Sequence, residues 1–353
     1  MSRRCTSVFS LLLSLAACTS EAPGKRRAVG NDTACPGSST LRKAPPPSSA
    51  TVMAQGQELQ GQQLQGCQQQ GTSLMGAPGT TPVKHAYAGW FNRGFLQPAR
   101  VVQGQLVGNG GLLSGAALVG TWIPAVDDGD FVWSVVRSAW QDPTYSDGST
   151  WLYSVDLFDW ATFTFSPLCA TDANGVAAAI PIAATFDASG NRGESSTYFT
   201  FGCTAGAIAK CYRWGYRPWL TDASGSSTTF ANLHWACTRM ARGDYCGDGR
   251  SWTYNGTLIN IWDRAPAPGP FQSHGPLDLT FIFEAGWSTH GAVCLSKERW
   301  LTLDPFIALD CPNRLIAPGL FIGNATVCET PDDASLFDST TLLFNESKVN
   351  IRL

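Results

Sequence analysis

The sequence predicts a mainly β fold: a disulfide-rich antiparallel β-domain with one principal α-helix at about residues 228–243, preceded by a disordered tether and a short pentapeptide-like repeat. Three observations carry that prediction. The chain is 44% hydrophobic and only 14% charged, so it can bury a sizeable core, and its 36 glycines, 21 prolines, 13 tryptophans and 18 phenylalanines suit short strands and tight turns. From Val101 onwards, β-rich runs alternate with clusters of Asp, Pro, Gly and Asn. Eight cysteines fall between Cys169 and Cys328, an even number, in a chain whose first residues read as an export signal.

Residues 1–17 carry Arg3 and Arg4, then an apolar run from Val8 to Ala17, which is the pattern of a signal peptide. That run is about half of the roughly 20 residues a membrane-spanning helix needs. Leu15, Ala16, Ala17 and Cys18 resemble the lipobox of bacterial lipoproteins, which implies acylation of Cys18 and attachment to a membrane through an N-terminal lipid. Thr19 stands where an aspartate is absent, and by the same resemblance this implies the outer membrane or cell surface. Residues 18–55 contain Lys25, Arg26, Arg27 and Pro45, Pro46, Pro47 amid Ser, Thr, Ala and Gly, with little that can pack, and read as a disordered tether. Residues 56–76 repeat with a period of five, with Leu59, Leu64 and Leu74 at one phase and a glycine at another, although Gln69 breaks the leucine row. They resemble pentapeptide repeats. Four repeats make about one coil with no neighbour to stack on, so two readings stand: a cap on the β-domain or a glycine-glutamine spacer.

Residues 83–127 read as a β-rich lead-in, 128–330 as the main domain and 331–353 as a C-terminal segment. FVWSVVRSAW and STWLYSVDLF, separated by the loop DPTYSDG, predict neighbouring antiparallel strands. ATFTFSPLC, GVAAAIPIAATF and STYFTFGC continue the pattern, with DASGNRG as a turn between the last two. Beyond the helix, SWTYNGTLINIWD carries Asn255 and Gly256 as a hairpin turn signal, and LTFIFEAGW is a further strand.

In the helix itself, Phe230, Leu233, His234, Cys237, Met240 and Ala241 recur on one face at the 3.6-residue period. Ser226, Ser227, Thr228 and Thr229 offer oxygens to the first-turn amides, and Arg239 and Arg242 suit the negative end. Gly247, rather than Gly243, is expected to terminate it. The stretch STTFANLHWACTRMARGDYCGDGRSWTYNGTLINIWD, together with FTFGCTAGAIAKCYRWGYRPW upstream and FEAGWSTHGAVCL downstream, resembles the ADYC domain, a cysteine-rich module of bacterial, largely myxobacterial, secreted proteins and lipoproteins. Gly243 stands where the family motif has alanine, ahead of Asp244, Tyr245 and Cys246. The resemblance implies an exported module and no particular reaction.

Cys169, Cys203, Cys211, Cys237, Cys246, Cys294, Cys311 and Cys328 are expected to form up to four disulfides, with the pairing open. No C-x2-C pair favours zinc, and no metal or cofactor is implied. A formal charge of -3 gives no electrostatic reason to bind nucleic acid. His234, Cys237 and Asp244 invite a thiol-nucleophile reading, against which export and the even cysteine count place Cys237 in a disulfide. Asp244, Asp248, Gly249 and Ser251 form an acidic turn without the alternate spacing of a calcium loop. Glu284 with Asp244 or Asp248 would be the carboxyl pair of a hydrolase acting on a glycan or other envelope polymer. Tyr212, Trp214 and Trp219 alternate with Arg213 and Arg217 in what reads as an aromatic-rich strand, which serves either as a surface for an envelope polymer or protein, or as core with arginines stacked on it. No phosphate loop, G-x-S-x-G or H-E-x-x-H motif is present. The expectation is therefore a lipid-anchored, non-catalytic binding or structural module, with a secreted hydrolase as the alternative.

Overall fold

The computed structural model describes residues 73–351, leaving out 77–81, 109–112, 144–147, 254–256, 275–278, 302–310, 312–327 and a few single or paired positions. The signal segment, Cys18, the tether, the repeat up to residue 72 and the Asn255-Gly256 turn lie outside the described residues.

The fold is mainly β with a few helices, and its principal sheets are antiparallel. It begins with β1 (Lys84–Ala86), β2 (Trp90–Asn92), β3 (Phe95–Gln97), β4 (Ala99–Val102), β5 (Gln105–Gly108) and β6 (Leu113–Ser114). The longest strands follow: β7 (Trp122–Asp127), β8 (Asp130–Gln141) and β9 (Trp151–Asp159). Next come β10 (Thr164–Pro167), β11 (Ala179–Ile182), the hairpin of β12 (Thr185–Phe186) and β13 (Arg192–Gly193), and β14 (Tyr198–Cys203). Helices α1 (Ala207–Arg213) and α2 (Thr228–Arg242) lead to β15 (Ile259–Asp263), β16 (Phe281–Ser288), β17 (Gly291–Leu295) and β18 (Trp300–Leu301). Helix α3 (Pro331–Phe337), β19 (Leu343–Lys348) and β20 (Asn350–Ile351) complete the described chain.

Six strands close on themselves. β7, β8, β9, β11, β14 and β1 pair in that order, and β1 returns to β7 through Lys84↔Val126 and His85↔Ala125. Closure into a small antiparallel barrel leaves no unpaired edge around the ring. Alternation along the strands sends Ile123, Val136, Tyr153, Val155, Phe199 and Phe201 into one core. The 83–127 lead-in thus supplies two of the barrel's strands. On the other side of β9 and β11, Leu152, Ile180 and Ile182 meet Ile208, Ala209 and Tyr212 of α1. Gly202 on β14 permits that approach, because a β-carbon there would lie 2.6 Å from Cγ2 of Ile208.

The second sheet has the order β15, β19, β16, β17, and α2 lies against it with Phe230, Leu233 and Met240 packed on Ile259, Ile261 and Trp287. β15 pairs with β19, Ile259 opposite Ser347, so the C-terminal segment lies inside this sheet. Residues 251–253 form no strand, and the partner of β15 comes from the far end of the sequence instead of from a local hairpin.

The helix lies where the 3.6-residue period places it, but its stop is not Gly247. α2 ends at Arg242, and Gly243 is its C-cap at φ +61°, with its amide directed at the carbonyls of Arg239 and Met240. That left-handed conformation costs glycine nothing, so the chain turns here, and Gly247 at φ +69° makes a later turn against His290. At the other end, Ser226 Oγ accepts the Thr228 amide at 3.2 Å.

The last residues of the repeat, Ser73, Leu74 and Met75, bond to α1 and β14. Carbonyls of Ser73 and Leu74 accept the Ala207 and Ile208 amides of the first turn of α1, and the Met75 carbonyl accepts the Cys203 amide. Gly76 and Gly206 face each other at backbone contact, a proximity that any β-carbon would break.

Candidate functional site

The turn that leaves α2 joins the helix to the β12–β13 hairpin and to the second sheet, and the motif residues are assembled there. Arg239, on the last turn of α2, donates from Nη1 to Asp244 Oδ2 at 2.5 Å and to the Ser189 carbonyl, from Nη2 to Asn191 Oδ1 at 2.7 Å, and from Nε to the Thr289 carbonyl at 3.2 Å. One guanidinium therefore fastens the helix end to the β12–β13 hairpin and to the β16–β17 turn. Asp244 also accepts the Gly249 amide at 3.1 Å, which closes the following loop. Burial pushes the Asp244 carboxyl up, against the pull of Arg239 and Arg242.

Tyr245 enters the core and stacks on Trp287 with ring centroids 5.3 Å apart. Its hydroxyl donates to Glu284 Oε1 at 3.0 Å and accepts the Arg299 amide at 3.0 Å. Glu284 and Arg299 are both fully buried and meet through Nε–Oε2 at 3.0 Å and Nη2–Oε1 at 2.8 Å. Arg299 continues to the Met240 carbonyl at 2.8 Å, so a buried cation satisfies the C-terminal end of α2. Burial alone would raise the Glu284 pKa, but the charge and hydrogen bonds of Arg299, with Lys297 and Ser347, hold it below the ordinary glutamate value. The Tyr245 carbonyl accepts the Ala292 amide at 3.0 Å, and a β-carbon on Gly291 would stand 2.5 Å from that same oxygen.

The eight cysteines form four disulfides: Cys169–Cys203, Cys211–Cys237, Cys246–Cys311 and Cys294–Cys328. Cys237 is thus tied to α1 and is no thiol. Its neighbour His234 points Nε2 at the Ile208 carbonyl, 2.9 Å away, and burial lowers its pKa to about 3, so the ring is neutral. Asp248 lies on the exposed part of the turn, where Oδ1 accepts the Arg250 amide at 2.9 Å. Asp244 and Glu284 each engage a different arginine, and no group of three or more His, Cys, Asp or Glu able to hold a metal occurs among the described residues.

The aromatic-basic stretch is not a strand but α1 and the turn after it. Tyr212 and Trp214 are core residues, as is the neighbouring Tyr216, so they offer no ligand surface. Arg213 forms a bidentate pair with the buried Asp142 at 2.8 and 3.1 Å. Arg217 reaches Ser149 Oγ at 3.2 Å and lies 5.6 Å from the Trp219 ring, whose Nε1 donates to Tyr212 at 3.0 Å. The rings of Tyr212 and Trp214 are interior, and the donors of Arg213, Arg217 and Trp219 are engaged. The residue that sequence reasoning missed is Arg299, since an arginine between two short strands carries no periodic signal.

This arrangement defines a disulfide-bonded β module whose polar cluster pins one helix to two sheets. Residues 115–301, more than half of the chain, match the family model of the ADYC domain, and the chain belongs to that family. No curated protein and no solved structure matches the chain.

Proposed function

We propose that the protein is a lipid-anchored cell-envelope protein, held at the outer membrane through Cys18, whose folded part is a non-catalytic binding or structural module. The observation that carries the second half is the fate of the candidate acids and base: His234, Asp244 and Glu284 are fully buried and directed at a carbonyl or an arginine. A general acid or base needs to reach substrate, and a buried, arginine-paired carboxylate does not. The anchor rests on the Leu15-Ala16-Ala17-Cys18 motif and the apolar run before it.

Replacing Cys18 with serine and following incorporation of labelled palmitate in a two-membrane bacterium tests the anchor. Loss of label and of membrane fractionation, with the downstream fold intact, is expected; label retained in Cys18→Ser protein would sink the lipobox reading. For the module, turnover of an envelope glycan that disappears in Glu284→Gln while the fold persists would replace this reading with a hydrolase.

A further inference from the structure

One side of the barrel breaks the rule that strands show polar residues to water. Across the strands, Leu96 opposes Phe91, Phe91 opposes Trp122, Trp133 opposes Phe158, and Phe158 opposes Phe165, so all of these point to the outer face. Their rings form a mosaic: Trp122 lies 5.6 Å from Phe158 and 5.8 Å from Phe165, and Phe91 lies 5.8 Å from Trp133. At one end of the barrel, where the β7–β8 and β9–β10 turns meet, Phe131, Trp160 and Phe163 are 60%, 55% and 72% exposed. Phe163 holds φ +55°, a strained conformation for a bulky residue, at a turn tip.

We infer that this aromatic face is a lipid-docking surface, which beds Phe131, Trp160, Phe163 and their neighbours into the interface of a zwitterionic bilayer. The chemistry of the face selects that occupant. Its principal polar side chains, Arg137 and Asp156, are joined to each other at 2.7 Å with Arg137 over the Phe165 ring, so it offers little to a glycan's hydroxyls and much to hydrocarbon. Phenylalanine and tryptophan are the side chains that settle at a bilayer boundary. Asp127, Asp128 and Asp130 crowd the β7–β8 turn, and burial together with its two neighbours pushes the Asp127 carboxyl up. Such a rim repels anionic lipid and a second copy of itself, and complements the ammonium of phosphatidylethanolamine or phosphatidylcholine. Proximity rests on the Cys18 anchor of the proposed function.

The full chain carrying Cys18→Ser, free of any acyl group, is floated with vesicles of phosphatidylcholine and phosphatidylethanolamine while tryptophan emission is recorded. Flotation with a blue shift is expected, weakened when phosphatidylglycerol is added. Trp160→Ser and Phe131→Ser should each lower binding roughly tenfold at unchanged melting temperature. The proposal is overturned if the protein does not float, if the variants float as well as the parent, or if the same variants instead abolish a dimer seen by sedimentation or retention on peptidoglycan. Acylation of Cys18 in cells is scored separately, so failure of the anchor is distinguishable from failure of the docking face.

Discussion

At the residue scale, Glu284 and Arg299 dominate the site because neither has water to fall back on. Removing one member of a buried ion pair leaves an uncompensated charge, typically at a cost of about 3–5 kcal/mol, whereas replacing both with apolar residues is often far milder. Glu284→Gln is therefore expected to lower stability by about that amount, and Glu284→Gln with Arg299→Met to recover much of it, read by urea denaturation. A Glu284→Gln protein as stable as the parent would mean the pair is not buried as described. Asp244 and Asp248 make a second comparison. Asp244 accepts from Arg239 and from Gly249, whereas Asp248 is exposed, so Asp244→Asn should lower the melting temperature clearly and Asp248→Asn very little. Equal effects from the two would contradict the assignment. Gly243 is the position where this chain departs from the family's alanine. An added β-carbon would meet only ordinary contacts, the nearest at 3.4 Å, so Gly243→Ala should cost about 1 kcal/mol for the left-handed backbone alone.

At the scale of elements, what could be read in advance follows the range of the interaction. α2 was legible because its apolar period is local, and β8 and β9 because both runs are rich in β-branched and aromatic residues and are joined by a segment of turn-forming residues. The closure of the barrel was not, because β1 is three residues long and pairs with β14 from more than a hundred positions away. β15 likewise finds β19 across 80 to 88 positions, from Asp263↔Leu343 to Ile259↔Ser347. The aromatic-rich strand expected around Tyr212 is instead the helix α1, in which Ala207, Ala209 and Lys210 are good helix formers that outweigh the β propensity of one tyrosine. Disulfide pairing was unreadable from spacing, and the folded pairing makes a prediction. Cys211–Cys237 links α1 to α2 across 26 residues, and a loop of that length corresponds to roughly 3.5 kcal/mol in the chain-entropy account. Substituting both cysteines with alanine should lower stability by a few kcal/mol, and alkylation of the denatured, unreduced parent should find no free thiol among the eight. A labelled Cys237 would reopen its chemistry.

At the scale of the whole molecule, the barrel and the contact between α1 and α2 each bury a neutral histidine, and this couples stability to pH. His85 sits in the barrel with its ring 4.7 Å from that of Phe201, and burial, only partly offset by the Val83 backbone, lowers its pKa to about 3. His234 is lowered to about 3 by burial as well, with the Ile208 carbonyl opposing and Arg192 assisting. In the unfolded chain both titrate near the ordinary value of 6.5. Above that pH neither state binds the proton and the histidines are indifferent. As pH falls from about 6.5 towards 3, the unfolded chain takes up protons that the native chain refuses, so stability is lost by about 1.4 kcal/mol per pH unit for each histidine. Glu284, held below its ordinary value, adds a loss of the same sign below the glutamate range, while the raised Asp244 and Asp263 bind protons in the native chain above the ordinary aspartate value and so oppose the histidines as pH falls. The carboxyl contributions are common to the parent and to a histidine variant, so the share of one histidine is read as the difference between the two slopes. His85→Phe, a ring of similar shape placed between Phe199 and Phe201, should reduce the slope between about pH 6.5 and 5 by up to about 1.4 kcal/mol per pH unit without lowering stability at pH 8, measured by urea titration at half-unit intervals. A slope unchanged by His85→Phe would mean that this ring carries its proton in the native barrel or that the barrel has opened before it titrates.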